Sequence, residues 1–206
     1  MTYLQNPDEI YAKSFAIIRA EVDLAHLPAN AEAVAVRVIH ACGMVDIAND
    51  LRITSDFAPK AKLALAAGQS IFVDAEMVRQ GIIPRFLTAN KVVCTLNDPR
   101  AREIGIAQAT TRSAAAVTLW KDNLEGTVVV IGNAPTALFR LLELIDNGAP
   151  KPGVIVGFPV GFVGAAESKE ALINNRHGIA YATIRGRKGG SAMASAVINA
   201  LLDTIP

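Results

Sequence analysis

Five short apolar runs punctuate the chain at fairly regular intervals: SIFVD at 70–74, KVVCT at 91–95, TVVVIG at 127–132, GVIVGF at 153–158 and IAYATI at 179–184. Each is continuous rather than alternating, as expected of a strand covered on both faces. Between most of them the apolar positions switch to helical spacing. Leu138, Leu141, Leu142 and Ile145 fall at i, i+3, i+4 and i+7, and Val117, Trp120 and Leu124 form a similar stripe behind Thr111, a suitable N-cap. Strand and helix alternate, which predicts a mostly parallel sheet with right-handed crossovers and helices on both faces. Residues 8–67 show no strand pattern and read as two or three helices ahead of the first strand–helix unit. No repeat, low-complexity tract or linker breaks the chain, so one domain over residues 1–206 is expected.

Composition sharpens this picture. Hydrophobic residues make up 51% of the chain and aromatic ones only 5%, which suits a helix-rich α/β protein packed through small side chains. The net charge of +1 gives no global field for nucleic acid or an anionic membrane, so any charged ligand must be held by local groups. Cys42 and Cys94 form no CxxC pair and read as reduced buried thiols; no structural zinc site can be assembled from them, and no metal is expected. The N-terminal stretch lacks an apolar signal region, and no apolar run approaches the roughly 18 residues that span a bilayer. A soluble, cytoplasmic protein is the expectation.

Ligands of parallel sheets sit beyond the carboxyl ends of the strands. The second run leads into ATTRSAAA (109–116), where Arg112 enters the first turn of a helix against the dipole at a cost of roughly 0.3–1 kcal/mol. With free N–H groups and the Thr111 and Ser113 hydroxyls, it forms a candidate carboxylate or phosphate site. The third run exits through IGNAPTALF, where Asn133 suits a cap and Pro135 a first turn; this is not GxGxxG, and a Rossmann site is unsupported. The fourth enters FPVGFVGAAESKEAL, whose glycines at 157, 161 and 164 allow close approach of a flat or bulky ligand; Lys169 stands nearby, without a Walker A loop. RGRKGGSAM sets Arg185, Arg187 and Lys188 before a helix start near Ser191. Together these segments describe a ligand with several negative charges.

In RVIHACG a helix over 29–43 ends at Gly43, and Arg37 and His40 share a face at i and i+3. The helix C-terminus favours a charged His40 and Arg37 disfavours it, a competition that leaves the imidazole close to neutral pH. Spacing alone leaves open whether His40 is a core residue or moves a proton. His26 and His177 lie in polar, loop-like settings.

The segments KSFAIIRAE (13–21), RVIHACG (37–43), DAEMV (74–78), TRSAAA (111–116), IGNAPTALF (131–139), PVGFVGAAESK (159–169) and RGRKGGSAM (185–193) resemble, in order and nearly end to end, the precorrin-8X methylmutase family, which includes the cobalt-precorrin-8 enzymes. The resemblance implies a flavodoxin-like three-layer α/β/α domain with a five-stranded parallel sheet in order 2-1-3-4-5, working as a homodimer. It implies a methyl shift from C-11 to C-12 of a corrinoid, giving hydrogenobyrinate or its cobalt form on the way to cobalamin, with no cofactor. His40 is then the proton donor or acceptor, and Ser14, Arg37 and Arg112 are substrate contacts; Lys169, beside the glycine-rich segment, is expected to be a further one. The partner is a corrinoid tetrapyrrole fringed with carboxylates, with transient hand-over of the product to the next enzyme. A corrinoid carrier without catalysis would share the pocket but leave Arg37 and His40 without a task. A flavodoxin-like flavin or nucleotide oxidoreductase would share the fold but needs a phosphate loop.

Overall fold

Asn6 starts the first helix, α1 (Pro7–Glu21): its Oδ1 accepts from the N–H groups of Asp8 and Glu9 at 2.9 and 3.3 Å, and Pro7 fills the first position. α2 (Glu32–Cys42) stops at Gly43, whose φ of 69° suits glycine and whose N–H donates to the Ile39 carbonyl at 2.8 Å. A 3₁₀ stretch, Val45–Asp50, leads into β1 (Leu51–Ile53). The chain continues through α3 (Phe57–Ala66), β2 (Ile71–Val73), α4 (Glu76–Gly81), β3 (Val92–Cys94), α5 (Pro99–Ala107) and α6 (Arg112–Thr118). It closes with β4 (Val128–Ile131), α7 (Pro135–Asp146), β5 (Val154–Gly157), α8 (Ala165–Ile173), β6 (Ala180–Ile184) and α9 (Ser191–Leu202). The structure, a computed structural model, describes residues 3–203.

The sheet runs β1-β6-β5-β4-β2-β3. β2 to β6 are mutually parallel, with Ile71 opposite both Val92 and Val128, Val128 opposite Val154, and Val154 opposite Ala180. These are the five apolar runs of the sequence. The expected five strands are corrected to six, because β1 pairs antiparallel with β6, placing Leu51 opposite Ile184. The flavodoxin-like description thus does not cover the whole sheet. β1 left no trace in the pattern because three residues with one half-buried arginine at their centre are too short for a period. Only the distant β6 makes them a strand.

Strand side chains alternate between two apolar layers. Ile71, Val73, Val128, Val130, Val154 and Val156 pack with Val38 and Ile39 of α2, Leu65 of α3 and Val197 of α9. Phe72, Val129, Ile131 and Ile155 pack with Leu138 and Leu141 of α7, Trp120 and Leu172. The helical stripes read from sequence supply the second layer. α9 is buried from Met193 to Leu202, as befits a helix apolar on nearly every side. A Cβ on Gly157 would stand 2.5 Å from Leu172 Cδ2, so this glycine lets α8 close on β5 and does not serve ligand approach.

Candidate functional site

β2 and β4 are neighbours whose following helices, α4 and α7, lie in opposite layers, the position where parallel sheets open a ligand crevice. Here the chain fills that crevice itself. Asp74, directly after β2 and 2% exposed, accepts from the N–H groups of Gly132, Asn133 and Ala134 at 2.8, 3.0 and 2.8 Å. Burial pushes its carboxyl pKa up, and the three donors oppose that shift. The carboxylate occupies the cradle that a phosphate would need at the head of α7. Asn133, expected as a cap, is instead one of the capped residues. The phosphate position of a flavin or nucleotide enzyme is taken.

A cavity lies beside α1 and α2. It measures about 620 Å³ and is walled by Ile10, Ser14, Ile17, Ile39, His40, Gly43 and Val45, with Lys13 and Glu21 at its rim. Ser14 Oγ lies 2.8 Å from His40 Nδ1, a hydrogen bond across the two helices. Tyr11 and Phe15 follow from the same spacing: with Ser14 and Ile18 they occupy i, i+3, i+4 and i+7 of α1, the stripe that meets α2. Their ring centroids lie 5.2 and 5.3 Å from the imidazole. Arg37 uses the same two rings, its Cζ 5.3 Å from the Tyr11 centroid and 5.9 Å from that of Phe15. Its Nη1 reaches Asp203 Oδ2 at 3.7 Å. The guanidinium lines a second depression of about 430 Å³ with Arg85, Phe86 and Asp8. Arg37 and His40 therefore share a helix face and an aromatic frame but open to different cavities.

Burial first, and the Arg37 charge second, hold the His40 pKa below its ordinary value. Arg37 acts in the expected direction, and burial adds to it, so the neutral imidazole is favoured. Its Nδ1 is held, and Nε2 has no hydrogen-bond partner among the described residues. Such a pair can accept, hold and return a proton.

The other expected ligand residues are not gathered here. Arg112 is exposed at the first position of α6, a helix of the second layer; Thr111 caps it by accepting from Ala114 N–H at 3.2 Å and bonds Thr136 Oγ1 at 2.8 Å. Lys169 is fully buried in α8, and its Nζ donates to the Lys188 carbonyl at 2.6 Å. Burial lowers its pKa to about 8. Arg185 pairs with Glu170 at 3.0 Å and Lys188 with Asp46, while Arg187 lies over the Phe162 ring. Among the described residues no acidic, histidine or cysteine cluster could hold a metal, and no helix is long and apolar enough to cross a membrane. Sequence reading missed Tyr11 and Phe15, which the α1 spacing could have revealed. It also missed the role of Asp74, whose partners lie about sixty residues away and left no local signal.

Residues 9–204 match the family model described as CbiC, precorrin-8X methylmutase. The precorrin-8X methylmutase of Pseudomonas aeruginosa is 55% identical, the match covering 97% of this chain and 96% of that protein. The cobalt-precorrin-8 methylmutase of Salmonella typhimurium is 41% identical over 98% of this chain and 97% of its own. The crystal structure of a precorrin-8X methylmutase from Thermus thermophilus superposes with a TM-score of 0.82 at 34% identity, covering 94% of this chain and 96% of that one.

Proposed function

The chain belongs to the precorrin-8X methylmutase family, isomerases that shift a methyl group within a corrinoid precursor of cobalamin, and on that premise we propose that Ser14 and His40 are its proton-transfer pair. The observation that carries this reading is the 2.8 Å bond between them on the wall of the 620 Å³ cavity.

Substrate and product of a methyl shift are isomers. The bond to C-11 breaks, the bond to C-12 forms, and any proton lent to the macrocycle must be returned. Burial and the Arg37 charge favour the neutral form of His40. A corrinoid brings acetate and propionate carboxylates close to it, and this negative charge offsets burial and the Arg37 charge, so the imidazole takes up a proton as substrate binds. Ser14 follows the change: its hydroxyl donates to Nδ1 of the neutral ring and accepts from Nδ1–H of the charged one. Nε2 delivers the proton to the ring system and recovers it after migration. No cofactor takes part. A carrier protein would have no use for this pair, and that reading finds no support.

Ser14 touches the substrate edge and Lys13 meets a carboxylate of the rim; Arg112, which one chain does not bring to this cavity, meets another carboxylate of the broad macrocycle. Arg37 acts from behind its two rings and sets the charge balance of His40. The enzyme acts as one domain in a homodimer in the cytoplasm; the exposed apolar side chains of Phe162 and Val163, outside the cavity, support the homodimer. The product passes directly to the next enzyme. Higher identity to the precorrin-8X relative than to the cobalt-precorrin-8 relative supports a metal-free substrate. Turnover of metal-free and cobalt-loaded precorrin-8, followed by absorbance, tests this: faster conversion of the metal-free form is expected, and conversion of the cobalt form alone would overturn the assignment.

A further inference from the structure

Among the described residues Lys169 is the single buried basic side chain. An ammonium withdrawn from water is costly, and here one neutral carbonyl, that of Lys188, receives its hydrogen bond. The Asp50 carboxylate favours its charged form. The residue it grips reaches onward: the Lys188 side chain pairs with Asp46, in the 3₁₀ stretch that begins at Val45. Arg185 N–H fixes the far end of that stretch by donating to the Asp50 carbonyl at 2.9 Å. Gly43 and Val45 are wall residues of the His40 cavity. Next to Lys188 the backbone packs closely, since a Cβ on Gly189 would stand 2.5 Å from the carbonyl oxygens of both Phe158 and Pro159.

We propose that Lys169 is a positioning residue of the methylmutase: acting through Lys188 and Asp46, it fixes the Gly43–Val45 wall of the cavity into which His40 opens, without touching the corrinoid. The proposal rests on the assignment of that cavity as the active site. It gives a reason for burying a charge where a methionine would fill the same space. The chain keeps an ammonium because a carbonyl must be held in one place, and a thioether cannot hold it.

The test uses the full chain with Lys169→Met, Lys188→Met and the double substitution, measuring kcat, KM for the corrinoid and Tm. Each single change is expected to raise KM about tenfold, the usual effect of losing one hydrogen bond to a charged group, with kcat within about twofold. The double variant should lose no more than about twofold beyond the worse single one, because both changes open the same clasp. Lys169→Met should keep its Tm, since an apolar chain of similar length replaces a buried charge. Lys188→Met, at a half-exposed position, carries the test should the buried change disturb folding. Losses that multiply in the double variant would make Lys169 an independent substrate contact and overturn the proposal. A lowered Tm with unchanged KM would overturn it in favour of a purely structural lysine. The site assignment fails separately, by full turnover of His40→Ala; the clasp fails when His40→Ala is inactive and Lys169→Met keeps the parental KM.

Discussion

Replacing Asp74 by alanine leaves three backbone N–H groups at the head of α7 without their acceptor in a position that is 2% exposed. Loss of an ordinary N-cap side chain costs about 0.5–2 kcal/mol, usually for one or two donors at a surface. Each buried donor left unpaired costs about 1–3 kcal/mol. Water entering the vacated space and fraying of the first turn keep the total well under the simple sum. The expected destabilisation is therefore about 3–5 kcal/mol, near the upper end for single substitutions. Asp74→Asn retains the volume and one acceptor oxygen and should cost about 1–2 kcal/mol. Urea unfolding followed by circular dichroism reads both as shifts in midpoint at unchanged slope. A second arm tests the cradle directly. Formate or phosphate added to Asp74→Ala should refill it and raise stability with ligand concentration, while the parent protein gains nothing. An alanine variant within about 1 kcal/mol of the parent, less than a typical buried unpaired donor costs, would refute the reasoning, and with it the physical ground for excluding a nucleotide phosphate from the β2–β4 crevice.

Arg37→Gln removes the second cause of the lowered His40 pKa, so the pKa rises. Activity that needs a protonated imidazole then survives to higher pH, and a pH–rate profile that stays put would show that Arg37 has no electrical hold on the site. Ser14→Ala removes the 2.8 Å partner of Nδ1 and should lower kcat about threefold to tenfold, the range of a net hydrogen bond. Steady-state kinetics checks it, and an unchanged kcat would mean the imidazole is oriented by its rings alone. Arg112→Ala should weaken corrinoid binding by roughly 1.5–3 kcal/mol, and by less when the facing carboxylate is esterified. Titration by absorbance separates the cases, and equal losses for acid and ester would make Arg112 structural.

Much of the fold was legible because the parallel strands are covered on both faces and so appear as unbroken runs such as TVVVIG. The helical stripes at Leu138, Leu141, Leu142 and Ile145 were equally plain, since that face meets the sheet directly. β1 was not legible: Leu51, Arg52 and Ile53 become a strand only by meeting residues 182–184. Ser14 was named through the family resemblance, which also gave His40, already singled out on α2, its role. Spacing along α2 identified the shared face with Arg37 but not the neighbouring helix that completes the pair. The basic segment at 185–188 suggested a ligand surface, yet two of its three cations are spent on internal ion pairs. Charge in a loop does not reveal whether its partner is a ligand or another loop, and Lys169 shows the same ambiguity from inside the protein.

The central claim is that His40 moves the proton of the methyl shift. Single-turnover measurement of His40→Ala against the parent, with corrinoid affinity determined in the same preparation, tests it most directly. The account predicts a rate lower by about 10²–10⁴, the contribution of general acid–base catalysis, with binding changed only slightly. A folded His40→Ala protein that binds the corrinoid and isomerises it at close to the parental rate would contradict the account.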